Sequence, residues 1–289
     1  LEDPGVTAEM TCSAQEGMLR FVYPESTNSQ LTIDFARRVG EINHPKVYSC
    51  QNIEILSPSE LRGEIYCDHR DGGWGHGYGN VDYTLYFHAV CSKPLTNVER
   101  IGGDSNAVLR CHFPTRKGET VTLHVALSYE GVPPRPEGFD FDRMRKSAKR
   151  AWSEEIARGI SIEGGTRRER VIFATALYHA MIDPRPIGKA DGFTRRTVFS
   201  GWDVFRSLMP LYTIIRPSLV RDTRTLPSWE IFGCNSDCMN GNAIIPVMAC
   251  LTEAGVTDFD TKAMYEMAKE TSALRGNHAC GFTPGELAT

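Results

Sequence analysis

The chain has 289 residues, of which 41% are hydrophobic and 24% charged, and it carries a formal net charge of -4. This composition predicts one large or two modest folded domains and argues against a disordered protein. The Lys and Arg residues are dispersed and form no basic stripe, so we expect no nucleic-acid partner. No apolar run reaches the roughly 18 residues that a membrane-spanning helix requires, so we expect no membrane span.

The nine cysteines predict no metal site. Only Cys234 and Cys238 are near neighbours in the sequence, and no second Cys or His pair accompanies them. Because a structural zinc site needs four such ligands, we interpret the cysteines mostly as buried small hydrophobic residues.

The first part of the chain has the pattern of antiparallel β-strands. Every second residue over 121–127 is apolar, which is the period of a half-buried strand. His124 falls on the opposite face, and we expect it, like Arg110 and His112, to face solvent. A β-sandwich of two sheets is therefore predicted over residues 1–131. Its strands are predicted at residues 17–24, 29–39, 80–91, 106–113 and 119–129.

A glycine-rich segment at residues 71–80 interrupts this pattern with five glycines. Its aromatic side chains Trp74, His76 and Tyr78 could contact a sugar or a neighbouring domain, or the segment could simply be a hairpin tip. No Lys-Ser or Lys-Thr follows it, so it is not a phosphate-binding loop.

After residue 131 the apolar period changes to that of helices. The proline-rich residues 132–140 are interpreted as a linker, and residues 141–289 as a helical domain. Phe141, Met144, Ala148, Trp152 and Ile156 recur at helical spacing and predict an amphipathic first helix. Further helices are predicted at residues 167–182, 200–216, 241–254 and 260–274. The inward-facing residues of the first of these are predicted to be Val171, Ala174, Tyr178 and Met181, and the second is predicted to be kinked at Pro210.

Residues 197–242 place a carboxylate beside an indole twice, as Trp202-Asp203 and as Trp229-Glu230. An aromatic ring can cover the apolar side of a pyranose, and a carboxylate can accept hydrogen bonds from its hydroxyls. A structural explanation is also open, because Asp203 lies three residues after Ser200, the spacing of a capping box. Trp202 also fits a helical core stripe.

The order of motifs in this half is more specific than either pair alone. ALYHAMIDPR occupies 176–185 and is followed by FSGWDVFRS at 199–207, PLYTIIRP at 210–217, LPSWEIFG at 226–233, CMNGNAIIPV at 238–247 and DFD at 258–260. With these motifs the chain resembles glycoside hydrolase family 92, the calcium-dependent, inverting, exo-acting α-mannosidases. The resemblance covers the amino-terminal half of the longer family members.

The resemblance implies a multidomain α and β protein, in which an amino-terminal antiparallel β-sandwich is followed by the first helices of an (α/α)6 toroid. The implied activity is removal of terminal α-linked mannose, with an α-1,2 linkage preference, from a mannose-containing glycan. Inversion, assistance by calcium and a secreted or periplasmic location are implied in the same way.

The resemblance also implies roles for individual residues. Trp202, Asp203, Arg206, Trp229 and Glu230 are expected to line the mannose pocket, with Asp203 binding hydroxyls. The residues by themselves would name Asp203 and Glu230 as the acid and base of a glycosidase, which usually needs two carboxylates. The family instead has its general acid and base in later motifs, expected beyond Thr289, and its calcium ligands are expected outside this chain.

Two alternatives belong to other functional classes. The chain could be a non-catalytic carbohydrate-binding fragment, or part of another toroidal inverting carbohydrate enzyme such as a phosphorylase. The chain also departs from the family at Cys234-Asn235-Ser236, where members often have Asn-Glu-Thr, and this bears on linkage preference. His179, a lone histidine beside Tyr178, is interpreted as structural, and Arg206 could simply pair with Asp203.

Overall fold

The computed structural model describes residues 5–37, 48–68, 82–190, 193–197, 199–217, 229–231, 234–235, 244–256 and 260–272. The chain divides into two compact units. The first unit consists of Leu1–Gly73 and Asp82–Trp152, and the second consists of Trp74–Val81 and Ser153–Thr289.

The first unit is built from antiparallel strands, as predicted. Its described strands are Thr7–Cys12 (β1), Glu16–Tyr23 (β2), Ser26–Asp34 (β3), Cys50–Ser57 (β4), Glu60–Cys67 (β5), Tyr83–Cys91 (β6), Glu99–Ile101 (β7), Val108–Thr115 (β8) and Glu119–Ser128 (β9). A six-stranded sheet has the order β1-β2-β9-β6-β5-β4, and a three-stranded sheet has the order β3-β8-β7.

The hydrophobic core of this unit contains inward-facing residues of both sheets. Leu109, Cys111 and Phe113 alternate along β8 and are at most 2% exposed. They belong to one cluster with residues of the larger sheet, and the rings of Tyr23 and Phe113 pack edge to face at 5.6 Å. Burying each large apolar side chain contributes about 1.5–3 kcal/mol, so this layer supplies much of the driving force for folding.

Strand β4 was not predicted, because its only buried side chain is polar. Gln51 is 1% exposed, while the rest of β4 is largely exposed. Its amide nitrogen donates to the carbonyl of Phe35 at 2.8 Å, and its amide oxygen accepts from the backbone N–H of Ala107 at 2.7 Å. The amide is therefore satisfied inside the protein, which is what its burial requires.

The prediction that His124 faces solvent is wrong. His124 is 2% exposed, and its neighbours Thr122 and Ala126 on the same face of β9 are each 4% exposed. Residues 131–140, which we call the strap, lie over this face without regular secondary structure, and the Gly138 carbonyl oxygen lies 2.9 Å from His124 Nδ1. Alternation shows which residues share a face, but the covering segment comes from later in the chain.

The predicted helices follow the strap. The described helices are Phe141–Gly159 (α1), which begins in the first unit, Arg167–Ala180 (α2), Gly201–Val204 (α3), Leu208–Ile215 (α4), Ile244–Glu253 (α5) and Thr261–Ser272 (α6). Short strands lie between them at Arg185–Ala190 (β10), Phe193–Thr197 (β11), Phe199–Ser200 (β12), Trp229–Ile231 (β13) and Cys234–Asn235 (β14). None of the helices described is long and apolar enough to cross a membrane.

The second unit has its own core, and α2 faces it differently from the prediction. Leu177 is 6% exposed, and Phe173 and Met181 pack against the same cluster. Val171 and Tyr178, which were expected inside, are 56% and 39% exposed. Apolar residues surround most of α2, so two stripes have helical spacing, and the period alone cannot select the buried one.

The helix predicted over 200–216 is interrupted. Helices α3 and α4 are separated by a turn at residues 205–207, whereas the kink was expected at Pro210. Pro210 is instead the third residue of α4, where the backbone N–H would have no partner within the helix. Proline is tolerated there without breaking the helix.

Candidate functional site

A small three-stranded sheet brings the two indole–carboxylate motifs together. Its strand order is β12-β13-β14, and the first ladder pairs Phe199 with Glu230 and Ser200 with Trp229. Residues directly opposite in an antiparallel ladder have Cα atoms about 4.5–5.5 Å apart. The backbone of Trp229-Glu230 therefore lies beside the residues that immediately precede Trp202-Asp203.

Ser200 fixes the start of the helix that carries the first motif. Its hydroxyl accepts a hydrogen bond from the backbone N–H of Asp203 at 3.3 Å, and its extended φ and ψ of -98° and 116° suit an N-cap. The bond uses the backbone of Asp203 and leaves its carboxylate available. The three-residue spacing from Ser200 to Asp203 therefore corresponds to a serine cap, in which the Asp203 side chain takes no part.

Helix α3 presents its indole and carboxylate away from the core. Gly201 and Val204 are buried, three residues apart on one side of the single turn. Trp202 is 49% exposed, and Asp203 is also exposed. Trp202 is therefore not a core residue, and an indole and a carboxylate at consecutive positions of α3 are both accessible. This is the chemistry that contact with a sugar ring and its hydroxyls requires.

Arg206 also lies on the accessible side of this segment. Its guanidinium lies over the ring of Phe205, 5.3 Å from the centroid. Within the described residues no ion pair joins Arg206 to Asp203, so the local pair considered from the sequence does not form. Both charged side chains are exposed, and both could contact a polar ligand.

The helix after the motif is anchored in the core. Met209 and Tyr212 of α4 are 0% exposed. The Tyr212 hydroxyl donates to the carbonyl oxygens of Ala180 and Asp183, the latter at 2.9 Å, and burial raises the pKa of Tyr212 to about 12. The helix that follows the candidate site is thus packed into the core, and such anchoring favours precise placement of binding groups.

A buried arginine ties the end of α4 to α1. Arg216 is 5% exposed, and one of its terminal nitrogens donates to the Glu155 carbonyl at 2.9 Å. It also forms an ion pair with the Glu155 carboxylate. Sequence analysis did not identify this pair, because the partners are distant in the chain and neither stands out by spacing.

Several expectations fall on residues outside this description. The structure describes the backbone of Trp229 and Glu230 but neither side chain, and the glycine-rich segment at 71–80 lies outside the described residues. Among the described residues, no group of three or more His, Cys, Asp or Glu side chains could hold a metal ion. His179 is exposed and packs against the ring of Tyr178 at 5.6 Å.

The pairing of β12 with β13 was not anticipated from the sequence. Both strands are too short for an alternation pattern to identify them. The resemblance implied that both indole–carboxylate motifs line one pocket, but nothing in the sequence indicated that their backbones meet as paired strands. The departure at Cys234-Asn235 lies on β14, whose Asn235 pairs with Glu230.

Comparison with known proteins agrees with these observations. The glycosyl hydrolase family 92 N-terminal domain matches residues 1–128, and the glycosyl hydrolase family 92 catalytic domain matches residues 133–283. No curated protein matches the chain.

Solved structures of the same family are also similar. The GH92 alpha-mannosidase BT3965 from Bacteroides thetaiotaomicron is 27% identical, with a TM-score of 0.75 over 96% of this chain and 42% of that chain. The fold is shared with the GH92 inverting mannosidase BT2199 from Bacteroides thetaiotaomicron VPI-5482. That protein is 15% identical, with a TM-score of 0.73 over 96% of this chain and 41% of that chain. This chain therefore spans about two fifths of the length of either relative. Since the catalytic-domain model alone matches more than half of its residues, the chain belongs to glycoside hydrolase family 92.

Proposed function

We propose that the chain is part of an exo-acting α-mannosidase that removes terminal α-linked mannose from glycans. The carrying observation is the exposed Trp202-Asp203 pair on α3, with the Trp229-Glu230 backbone paired beside it. Family membership supports the assignment, as does the mannosidase BT3965, 26% identical, which has been solved in complex with mannoimidazole. A mannose-containing glycan is accordingly the proposed partner.

Each residue of the pair has a distinct proposed role. The Trp202 indole covers the apolar face of the terminal mannose, and the Asp203 carboxylate accepts hydrogen bonds from its hydroxyls. Arg206 donates to the ring substituents from the same accessible side. Trp229 and Glu230 complete the pocket from β13, which their backbone pairing with β12 favours.

The reaction itself is proposed from the family. In an inverting glycosidase, one carboxylic acid protonates the leaving oxygen, and a second carboxylate activates a water on the opposite face of the sugar. We assign these roles to a Glu and an Asp beyond Thr289, with Asp203 and Glu230 binding substrate. An α-1,2 linkage preference and a secreted or periplasmic location belong to the same proposal.

Calcium dependence rests on the resemblance alone. Calcium prefers six to eight oxygen atoms, often with several carboxylates among them, and the described residues contain no group of three or more His, Cys, Asp or Glu side chains that could hold a metal ion. No step of the reaction is therefore assigned here to calcium, and its ligands are proposed to lie elsewhere in the complete enzyme.

The test is mannose release by the complete enzyme from α-1,2-, α-1,3- and α-1,6-linked mannobiose, with and without a calcium chelator. Proton NMR of the first product identifies its anomer. The proposal expects β-mannose to form first, the α-1,2 substrate to be preferred, and chelation to reduce the rate. Release of α-mannose would contradict inversion, and binding of mannobiose without turnover would show a carbohydrate-binding protein instead.

A further inference from the structure

Two histidines fasten the strap (residues 131–140) to the outer face of the six-stranded sheet. His88 Nδ1 lies 3.2 Å from the carbonyl oxygen of Pro133. His124 Nδ1 lies 2.9 Å from the carbonyl oxygen of Gly138. The two histidines are only 7% and 2% exposed, so water has little access to either contact.

Each histidine contacts a carboxylate through its other ring nitrogen. His88 Nε2 lies 2.8 Å from Glu60 Oε1, and His124 Nε2 lies 3.1 Å from Glu16 Oε2. The second oxygen of Glu60 accepts a hydrogen bond from Arg135 of the strap at 3.1 Å. The same pattern of strand carboxylate, imidazole and strap carbonyl therefore occurs twice.

The register of the sheet explains why the pattern repeats. Glu60 on β5 lies opposite the residue two positions after His88. Glu16 on β2 lies opposite the residue two positions after His124. Each carboxylate is thus a diagonal neighbour of its histidine on the adjacent strand, about 7–8 Å away between Cα atoms, which a long side chain can bridge.

Donor and acceptor rules determine the protonation of both rings. A carbonyl oxygen and an ionised carboxylate can only accept hydrogen bonds, whereas a neutral imidazole has a single N–H. Either ring can therefore satisfy both of its partners only with both nitrogens protonated. The hydrogen bond from His88, followed by that from Arg135, holds the pKa of Glu60 below its usual range and keeps this carboxylate ionised.

Other charged groups face the two rings from the neighbouring elements. Arg62 lies directly opposite His88 on β5 and pairs with Glu54 at 2.8 Å. Arg20 lies on β2, diagonally from His124, and pairs with Glu9 at 2.7 Å and with Asp142 of α1 at 3.0 Å. The strap itself carries Arg135, Glu137 and Asp140.

The strap is held at separate points along its length. A cavity of about 430 Å³ lies between its first residues and the ends of β2 and β9, lined in part by Glu16, Leu127 and Pro133. Pro136 is buried between the two histidine contacts. Beyond the strap, Arg20 lies over the ring of Phe141, 4.1 Å from its centroid, and this anchor does not depend on a histidine.

We propose that the two histidines form a pH-dependent clasp, which holds the strap on the sheet while both imidazoles are doubly protonated. When either ring loses its second proton, one nitrogen becomes an acceptor that faces the lone pairs of a carbonyl or carboxylate oxygen. This contact is unfavourable in a water-poor site. The strap then loosens from the sheet, while Arg20 continues to hold the start of α1.

The direction of the pH effect follows from these charges. Raising the pH removes the second proton from an imidazole and therefore weakens the clasp. At the acid end, the pKa of Glu60 is lowered, so its contribution is present above the ordinary carboxyl range and is lost as pH falls through the lowered value. The clasp therefore holds from mildly acidic pH up to the pH at which the rings become neutral.

The decisive variant replaces both carboxylates, as Glu16→Gln with Glu60→Gln. A neutral imidazole can donate from Nδ1 to the strap carbonyl and accept at Nε2 from a glutamine amide, so this variant should keep the strap bound at alkaline pH. Cleavage by a Glu-specific endopeptidase after Glu137 reports release of the strap. The ratio of wild-type to variant cleavage rates at each pH cancels the pH dependence of the protease itself.

We expect a rate ratio near one at about pH 6, and roughly tenfold faster cleavage of the wild-type chain at about pH 8.5. Ring nitrogen chemical shifts of ¹⁵N-histidine should show both nitrogens of His88 and His124 protonated at the lower pH. His112→Gln, on the smaller sheet, is the matched control and should be cleaved like the wild type at both pH values. A ratio near one throughout, or a neutral ring in the bound state, overturns the clasp.

A second variant keeps the proposal testable if the first does not fold. His88→Gln with His124→Gln removes both titrating groups. The cleavage rate of the strap in this variant should therefore change with pH only as much as the activity of the protease itself does. If the rate still rises roughly tenfold above that of a reference peptide between about pH 6 and 8.5, the histidines are not the cause.

Discussion

Ser200 pairs with Trp229 across the ladder between β12 and β13, and its hydroxyl also caps α3 through the N–H of Asp203. Ser200 therefore connects the backbone of Trp229-Glu230 to the helical turn that carries Trp202-Asp203. Ser200 is 5% exposed, so both contacts are formed in a dry environment. Ser200 therefore supports the start of the helical turn that carries Trp202 and Asp203.

Ser200→Ala should destabilise the chain by about 1 kcal/mol, because the capped N–H of Asp203 loses its acceptor. Chemical denaturation measures this loss. The matched control is Ser207→Ala, since Ser207 precedes α4 without making a side-chain capping bond. Its free energy of unfolding should change by less than about 0.5 kcal/mol. Equal losses in the two variants would show that the Ser200 hydroxyl does not act as a cap.

Arg216→Met should be among the more destabilising changes, costing about 3 kcal/mol. The arginine is 5% exposed, and its removal leaves the Glu155 carbonyl oxygen without this donor and the Glu155 carboxylate with only the exposed Arg158. Arg158→Met removes a different arginine from the same carboxylate. The Arg158 guanidinium lies 3.6 Å from the Glu155 carboxylate, and the Arg158 side chain is 66% exposed. That control should cost below about 0.5 kcal/mol, as surface pairs do. Similar losses in both variants would contradict the role of burial.

Sequence reasoning succeeded where one element decides the outcome and failed where two elements must meet. The period-two pattern of β9 identified the strand, but the burial of His124 depends on the strap, whose irregular backbone has no period. Helical spacing located α2, but Leu177 rather than Tyr178 faces the core because both stripes are apolar. Both indole–carboxylate motifs were expected to line one pocket, whereas the β12–β13 pairing that brings their backbones together was not predicted, because both strands are too short to show a period.

Alkaline pH should destabilise the second unit through Tyr212. Burial, followed by the nearby charge of Asp183, raises the pKa of Tyr212 from its ordinary value of 10.0 to about 12. The neutral phenol is therefore favoured in the folded state, and its stabilising effect is fully present below the unfolded pKa and lost as pH rises from about 10 to about 12. Thermal unfolding across this range should show the decline.

Tyr212→Phe should lower stability near neutral pH by about 1 kcal/mol, because two carbonyl oxygens lose their donor, and should flatten the alkaline decline. Tyr265→Phe serves as the control, since Tyr265 is 63% exposed on α6. It should leave both the midpoint and the pH dependence close to those of the wild type. An unchanged alkaline decline in Tyr212→Phe would assign that decline to other groups.

The 289-residue chain by itself should release no mannose from an activated α-mannoside, even with calcium present. The reason is that the general acid and base are proposed to lie beyond Thr289, and that Asp203 and Glu230 are proposed only to bind substrate. A chromogenic mannoside assay measures this directly, with the complete enzyme as the positive control. Substantial turnover by the isolated chain would restore Asp203 and Glu230 as the catalytic pair.

Asp203→Ala in the complete enzyme should lower kcat/KM by roughly two to four orders of magnitude. A carboxylate bonded to two mannose hydroxyls makes charge-assisted hydrogen bonds of about 1.5–3 kcal/mol each, and about 1.4 kcal/mol corresponds to a tenfold change. The unfolding midpoint should hardly move, because the Ser200 cap uses the backbone N–H of Asp203 and its carboxylate is exposed.

Asp203→Asn separates charge from shape at the same position. The amide preserves the size of the side chain and the backbone cap but replaces the charged acceptor, so kcat/KM should still fall by at least about tenfold while stability is retained. Steady-state kinetics and thermal unfolding on the same preparations give both quantities. Wild-type kinetics in Asp203→Asn would falsify the sugar-binding role of the carboxylate. A loss of stability with normal kinetics in Asp203→Ala would instead identify Asp203 as a structural residue of α3.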